Sequence, residues 1–212
     1  MLRRLLSVCL AIPIVFIVLH TIVRIVRHFH KFPIPEFMVA LIDNPLRRKL
    51  QPPYETAVRQ GLEPGMMVLE VGPGSGTYTI GAARRVGDQG KIVTVDIEAK
   101  MIERVRRKAQ EEGVTNIEAR VVDVYELPFD DKGFDAVYMI AVIGEIPDLD
   151  RAMGEFHRVL KPDGKLAFSE LLMDPDYPLA STLMRKATVA GFQLREEIGN
   201  FFYYTLIFEK VS

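Results

Sequence analysis

The sequence predicts an α/β fold: a Rossmann-like, doubly wound, mostly parallel sheet of seven strands that ends in an antiparallel C-terminal hairpin strand, plus an N-terminal membrane helix. Two observations predict the sheet. Short apolar segments alternate with helical ones, and the first predicted strand ends in a glycine-rich loop. An uncharged apolar run near the N terminus predicts the membrane helix. The chain then divides into a membrane anchor (1–31), a proline-rich connector and cap (32–65) and the sheet domain (66–212).

The apolar run is Leu5–Val23, which carries no formal charge and is just long enough for the ~20 residues that span a bilayer core. No small-residue cleavage site follows it, which disfavours a cleaved signal peptide. Arg3 and Arg4 before it, with Arg24 and Arg27 after it, disfavour a buried core helix. We expect a membrane anchor, either spanning or interfacial. Positive charge after the run favours a cytoplasmic domain.

The charge argues against a nucleic-acid-binding protein, and the cysteine and histidine content argues against a metal-binding one. The formal net charge is −1 at pH 7, so no basic field predicts a nucleic-acid partner. Cys9 is the single cysteine, so no intrachain disulfide can form. The histidines form no spaced set with cysteine or carboxylates, so we expect no metal site.

The connector is rich in proline, and short helices are expected at Glu36–Ile42 and Tyr54–Gln60. We interpret it as a cap on the domain, with a plain linker as the alternative.

Strands and helices alternate through the rest of the chain. The predicted strands are Met66–Val71, Lys91–Val95, Ile117–Val122, Phe134–Ile140, Lys165–Glu170, Phe192–Glu197 and Phe201–Glu209. The predicted helices are Thr77–Val86, Ala99–Glu112, Leu149–Leu160 and Pro178–Ala190. The alternation indicates a parallel sheet with helices on both faces, and the last two strands resemble a hairpin.

The glycine loop lies in Val68–Gly76, which reads VLEVGPGSG. Glycine allows a backbone to approach a ligand closely, and ligands of such sheets bind at the carboxyl ends of the strands. A dinucleotide fingerprint would need glycine at Thr77, and a phosphate loop would need a Gly-Lys-Ser/Thr sequence. The spacing therefore disfavours NAD. A glycine turn without a ligand is the alternative.

Acidic residues end the next two predicted strands. Asp96 could accept hydrogen bonds from both hydroxyls of a ribose, or could only cap a helix. Asp123 could accept from an adenine amino group while the backbone N–H of Val124 faces a ring nitrogen. The alternative for Asp123 is a simple loop acid.

Together these residues resemble the class I S-adenosylmethionine-dependent methyltransferase family, over about residues 66 to 170. The positions that match its cofactor site are Glu70, Gly72, Gly74, Gly76, Asp96, Asp123 and Val124. The segments Leu127–Phe129, Phe134–Val137 and Arg158–Leu166 also follow as in the family, and the last is similar to its quinone-ring and small-molecule branch. The resemblance implies S-adenosylmethionine as cofactor and in-line displacement at its methyl carbon.

The acceptor side departs from the family. Many small-molecule members carry a histidine pair after the fourth strand, where this chain has Ala141–Ile146, and the region before the sixth strand is short. The proline-rich cap or the membrane would then cover the substrate. The catalytic residue is unknown. Weak candidates are Glu145, Glu170 and Tyr54, each of which also has a purely structural interpretation.

The anchor predicts a small-molecule or lipid acceptor associated with the membrane. We expect a lipid head group, such as the amine of a phospholipid, because an acceptor that stays in the bilayer needs no enclosed pocket. The alternative is a quinone or another prenylated or small aromatic acceptor. A distant alternative is a non-catalytic, membrane-tethered scaffold that only binds the cofactor.

Overall fold

The computed structural model of the chain describes residues 21–25 and 43–211. The strands are β1 (Met67–Val71), β2 (Lys91–Asp96), β3 (Ile117–Val121), β4 (Phe134–Ile140), β5 (Leu160–Leu171), β6 (Phe192–Asn200) and β7 (Tyr203–Lys210). The helices are α1 (Pro45–Leu50), α2 (Pro53–Arg59), α3 (Thr77–Val86), α4 (Ala99–Glu111), α5 (Leu149–Val159) and α6 (Ala180–Val189). A 3-10 turn covers Ile143–Glu145, and residues 21–25 are also helical.

The seven strands form one sheet in the order β3-β2-β1-β4-β5-β7-β6. β1 to β5 pair in parallel, whereas β7 runs antiparallel to both β5 and β6. This arrangement confirms the predicted mostly parallel sheet with its antiparallel C-terminal strand. The strand order reverses at β1, which lies between β2 and β4, and a ligand crevice is expected beside such a reversal.

Apolar side chains cover both faces of the sheet. Phe156, Phe168 and Phe208 are fully buried in the larger cluster, and Leu62 and Val86 are buried in the second. Coverage on both faces explains why β1, β2 and β4 are nearly continuous apolar runs rather than alternating ones.

β5 begins earlier than predicted, at Leu160 rather than Lys165. Its first residue pairs with Phe134 before the register shifts. Asp163 adopts a left-handed conformation with φ of 58°, so the turn expected here becomes an irregularity inside the strand.

Part of the proline-rich connector packs into the domain. A Cβ added at Gly81 of α3 would lie 2.6 Å from the carbonyl carbon of Pro53, so α2 and α3 meet backbone to backbone. Leu62 is 1% exposed, and the buried Gln60 amide donates to the carbonyl of Met139 at 3.2 Å. The described part of the connector therefore packs against the sheet domain.

The helix predicted at Tyr54–Gln60 is confirmed as α2, whereas Glu36–Ile42 lies outside the described residues. Only residues 21–23 of the anchor predicted over Leu5–Val23 are described, and they are helical. Within the described ranges, no helix combines the length and the apolar character needed to cross a bilayer. The N-terminal membrane helix stays a prediction.

Candidate active site

A cavity of about 370 Å³ opens at the carboxyl ends of β1, β2 and β4, beside the reversal of strand order. Its wall includes the predicted residues Glu70, Gly72, Gly74, Asp96, Asp123, Val124 and Glu145. Three predicted residues are not on this wall. Gly76 caps α3, Glu170 is buried in β5, and Tyr54 is 44% exposed on α2.

The glycine loop turns from β1 into α3 through left-handed backbone. The φ angles are 72° at Gly72, 53° at Gly74 and 76° at Gly76. A Cβ at Gly72 would lie 2.5 Å from Val142, and one at Gly76 would lie 3.3 Å from the Cα of Val105. Both positions therefore need glycine for packing, while Gly74 contributes bare backbone to the cavity.

Glu70 lies in a row of buried polar side chains that crosses the sheet. It is level with Thr94 on β2 and with Tyr138 on β4. Burial raises the pKa of the Glu70 carboxyl, and the nearby hydroxyls of Thr79, Tyr138 and Thr94 oppose that rise. Its Oε2 atom is buried and has no hydrogen-bond partner within the described ranges. The hydroxyls of Thr79, Thr94 and Tyr138 beside it also have no other partner there.

Acidic side chains end β2 and follow β3 on the same wall. Asp96 Oδ1 accepts from the backbone N–H of Glu98 at 2.8 Å, and burial raises the pKa of Asp96 to about 6. Asp123 is exposed, and its Oδ1 accepts from the N–H of Tyr125 at 3.0 Å. Both carboxylates thus also hold local turns, whereas the N-cap of α4 is Glu98 and not Asp96.

The proline-rich connector of residues 32–65, which we call the N-terminal cap, contributes a carboxylate that the sequence pattern did not single out. Asp43 lines the cavity, accepts from the hydroxyls of Ser75 and Thr77, and forms an ion pair with Arg48 at 2.8 Å. Burial opposes ionisation, but the hydrogen bonds from Arg48, Ser75 and Thr77 outweigh it and lower the pKa of Asp43. The cap is therefore fastened to the glycine loop.

A buried ion pair joins the cap to the loop after β5. Arg47 donates to Asp174 through two contacts, at 2.9 and 3.3 Å, and the two residues are 6% and 7% exposed. Both line the cavity. In the sequence Arg47 belongs only to a basic cluster with Arg48 and Lys49, so no signal linked it to Asp174.

Carboxylates cluster at the end of the cavity away from Asp96. Glu145 and Asp174 lie on its wall. Glu170 is 1% exposed behind them. Burial and the negative charge of Asp174 hold the pKa of Glu170 well above its usual range; Arg47 lowers it and Glu145 raises it further. Burial therefore favours the protonated form of Glu170.

The backbone at this end is strained. Ala141, directly after β4, has a φ of 56°, which is uncommon for a residue other than glycine. Its N–H donates to the carbonyl of Ser169 at 2.9 Å, and Ala141 lines the cavity. Strain of this kind often lies at functional sites. Within the described ranges, no group of three or more His, Cys, Asp or Glu side chains could hold a metal ion.

Comparison with known proteins identifies relatives over most of the sheet domain. The family model described as a methyltransferase domain matches residues 62–204. The ubiquinone/menaquinone biosynthesis C-methyltransferase of Idiomarina loihiensis is 32% identical over 140 residues, which are 66% of this chain and 54% of that protein. The 2-phytyl-1,4-naphtoquinone methyltransferase of a Nostoc species is 38% identical over 111 residues, 50% of this chain and 47% of that protein. The chain spans about half the length of the curated relatives it matches.

Solved structures share the fold. A SAM-dependent methyltransferase from Aquifex aeolicus superposes with a TM-score of 0.78 at 22% identity, covering 84% of this chain and all 100% of that one. The cyclase SpnF superposes with a TM-score of 0.67 at 22% identity, covering 76% and 80%. These likenesses show the fold alone, since one fold supports different reactions. The family match, which covers more than half of the chain, shows that this chain belongs to the class I S-adenosylmethionine-dependent methyltransferases, whose cofactor is S-adenosylmethionine.

Proposed function

We propose that this chain transfers a methyl group from S-adenosylmethionine to a ring carbon of a quinone-type acceptor with an apolar tail. The observation that carries the proposal is a single cavity that joins the glycine loop to the carboxylates of Glu145 and Asp174. The names of the relatives support a ring acceptor, since they describe a C-methyltransferase and a naphthoquinone methyltransferase. They favour the ring over the lipid head group that the sequence suggested.

The polar parts of the cofactor fit one half of the cavity. Bare backbone at Gly72 and Gly74 leaves room for the methionine part, and the carboxyl of Glu70 on the cavity wall can accept from its amino group. Asp96, once ionised, can accept from the ribose hydroxyls. We propose these roles for Glu70, Gly72, Gly74 and Asp96.

The adenine ring fits the apolar part of the same half. Ile97 and Met101 line the cavity beside Asp96, and Val124 lines it beside Asp123. Apolar side chains can cover the faces of an adenine ring, while Asp123 accepts from its amino group and the N–H of Val124 donates to a ring nitrogen. The cavity therefore offers a suitable group for each part of the cofactor.

S-adenosylmethionine, when bound, supplies an electrophilic methyl carbon, which is transferred as the ring carbon attacks it and the sulfonium becomes a neutral thioether. Glu145, on the cavity wall, accepts the proton of a ring hydroxyl and so increases the nucleophilicity of the neighbouring carbon. After the methyl group is attached, that carbon loses its own hydrogen to water as a proton, Glu145 returns its proton to the ring oxygen, and the ring regains its aromatic form. Arg47 is the buried cation of this region and stabilises the oxygen as negative charge develops on it. Glu170 lies behind the wall, and we assign it no contact with the acceptor.

The proposed function can be tested with methyl-labelled cofactor and two acceptors: a short-chain demethylated naphthoquinol, and phosphatidylethanolamine vesicles. We expect label in the ring and none in the phospholipid. Glu145→Gln should reduce turnover of the naphthoquinol while leaving cofactor affinity unchanged. Glu103→Gln, an exposed change on α4, should alter neither. Label confined to the phospholipid would contradict the proposed acceptor class.

We also propose that residues 1–31 anchor the chain in a membrane, with the sheet domain on the cytoplasmic side. The uncharged run Leu5–Val23 and the positive charge after it support this proposal. Deleting residues 1–20 keeps Arg24, whose guanidinium donates to the carbonyl of Leu172 at 2.8 Å. The shortened chain should move to the soluble fraction and still bind the cofactor. A shortened chain that stays with membranes would show that the run is not the principal anchor.

A further inference from the structure

Large apolar side chains are exposed at the tip of the β6–β7 hairpin and in the loop after β5. We call Met173, Phe201 and Phe202 the hairpin-tip patch; they are 60%, 61% and 65% exposed. The N–H of Leu172 donates to the carbonyl of Phe202 at 2.8 Å, and the hydroxyl of Tyr177 donates to the carbonyl of Phe201 at 2.6 Å. The tip and the loop therefore form one connected surface.

The tip is held in shape by its own hydrogen bonds. The side-chain oxygen of Asn200 accepts from the N–H of Phe202 at 2.9 Å, and the rings of Phe201 and Phe202 lie 6.0 Å apart. Two adjacent, exposed phenylalanines on a braced turn are unusual for a surface that faces water. Phenylalanine is among the residues that peripheral proteins bury at the interface of a bilayer.

The described end of the N-terminal apolar run lies beside this patch. Arg24 donates to the carbonyls of Leu172 and Asp174, at 2.8 and 3.2 Å. Ile22 and Ile25, on either side of Arg24, are 50% and 55% exposed. Residues 21–25 therefore meet the domain beside the hairpin-tip patch.

The patch borders the end of the cavity that holds Glu145 and Asp174, which we call the acceptor end. Asp174, which lines the cavity opposite the adenine side, directly follows Met173 of the patch. A surface that contacts the patch would therefore also lie near Arg47 and Glu145, the residues assigned to the acceptor.

We propose that the hairpin-tip patch enters the interfacial layer of a lipid bilayer and so turns the acceptor end of the cavity toward the membrane. The insertion follows from the patch and its position beside residues 21–25; the delivery of a tailed ring to the cavity rests on the proposed function. Glu196 and Glu197 are exposed on the same hairpin, and the exposed Arg195 there is paired with Glu209, so we do not expect attraction to anionic lipid to drive insertion. Burial of apolar surface does.

The chain contains no tryptophan, so one introduced tryptophan reports on its own surroundings. The test uses the full chain in phosphatidylcholine vesicles and compares Phe201→Trp and Phe202→Trp with Val189→Trp. Val189 is 82% exposed at the end of α6, beside Phe192 at the opposite end of β6 from the tip. Brominated phosphatidylcholine quenches a tryptophan in the bilayer, and acrylamide quenches one in water.

We expect the tip tryptophans to lose emission with brominated lipid and to resist acrylamide, and Val189→Trp to show the reverse. Adding anionic lipid should change neither result. Tip tryptophans that respond to acrylamide as Val189→Trp does would place the patch in water and overturn the proposal. Shielding from both quenchers would also overturn it, because protein would then cover the patch, either residues 1–20 or a second copy of the chain.

A need for anionic lipid would contradict insertion driven by apolar burial. None of these measurements uses methyl transfer. The insertion can therefore fail while the proposed function holds, and the proposed function can fail while the insertion holds. Methylation of a short-chain, water-soluble quinol tests the function without any membrane.

Discussion

The carboxylate of Asp43 accepts a hydrogen bond from the hydroxyl of Ser75, so a residue of the N-terminal cap holds the cofactor-type glycine loop from outside the motif. The same oxygen accepts from Thr77 at 2.6 Å, and Arg48 binds the carboxylate at 2.8 Å. The loop has left-handed glycines on both sides of Ser75. Its conformation should therefore depend on Asp43.

We expect Asp43→Ala to weaken S-adenosylmethionine binding by about 1.5–3 kcal/mol, the range for hydrogen bonds to a charged group. Titration calorimetry measures the change. Asp150→Ala is the matched control, because Asp150 forms an exposed ion pair with Lys186 and does not line the cavity. Unchanged affinity in a folded Asp43→Ala protein would show that the loop keeps its shape without the cap.

The sequence could predict what depends on local spacing. The alternation of strands and helices predicted the sheet, and the glycine loop with Asp96 and Asp123 predicted the residues that line one cavity wall. It could not predict the pairing of Arg47 with Asp174, which lie 127 positions apart, because nothing in either local pattern requires the other. Asp43 was missed for the same reason.

Position in the fold, rather than residue type, separates the three candidate catalytic residues. Glu145 reaches the cavity wall from the 3-10 turn, while Glu170 is enclosed in β5 and Tyr54 is exposed on α2. All three lay at plausible positions in the sequence. Which of them contacts a ligand depends on how the loops fold over the sheet.

Cofactor affinity should depend on pH through Asp96. Its pKa is about 6 in the folded chain, raised by burial, and about 3.9 for an unperturbed aspartate. Binding that uses the ionised carboxylate should therefore strengthen as pH rises toward about 6 and then level off. The folded state holds the proton more tightly than the unfolded state. Without cofactor, the contribution of Asp96 to stability is thus complete below about pH 4 and is lost as pH rises through about 6.

Asp96→Asn should flatten the affinity profile, and Asp96→Ala should weaken binding by about 1.5–3 kcal/mol at neutral pH. Calorimetric titrations with S-adenosylmethionine across this pH range measure both effects. A profile for Asp96→Asn that still rises toward pH 6 would assign the titration to another group.

Gly74→Val should abolish cofactor binding, because a side chain there would enter the cavity space assigned to the methionine part. The left-handed φ of 53° adds backbone strain for valine. Gly113→Val is a matched control: its φ is 65° and a Cβ there would meet nothing within 4 Å, so it carries the strain without entering the cavity. Equal loss of binding in both variants would attribute the effect to strain.

Replacing one partner of the buried Arg47–Asp174 pair should lower the free energy of unfolding. Arg47→Met leaves the Asp174 carboxylate buried without its cation, and such a change costs about 3–5 kcal/mol. The double variant Arg47→Met with Asp174→Leu removes both charges and should recover much of that loss. Denaturant unfolding measures each variant. A double variant no more stable than Arg47→Met alone would contradict this account of the pair.

The central claim is transfer of a methyl group to a ring carbon, and the product itself tests it most directly. The full chain is incubated with S-adenosylmethionine labelled with carbon-13 in its methyl group and with a reduced, demethylated naphthoquinol, and the product is examined by carbon-13 NMR. We expect a labelled methyl signal at the chemical shift of a methyl group bound to a ring carbon. A labelled methyl group attached to oxygen, or an unlabelled ring beside labelled phospholipid amine in added vesicles, would contradict it.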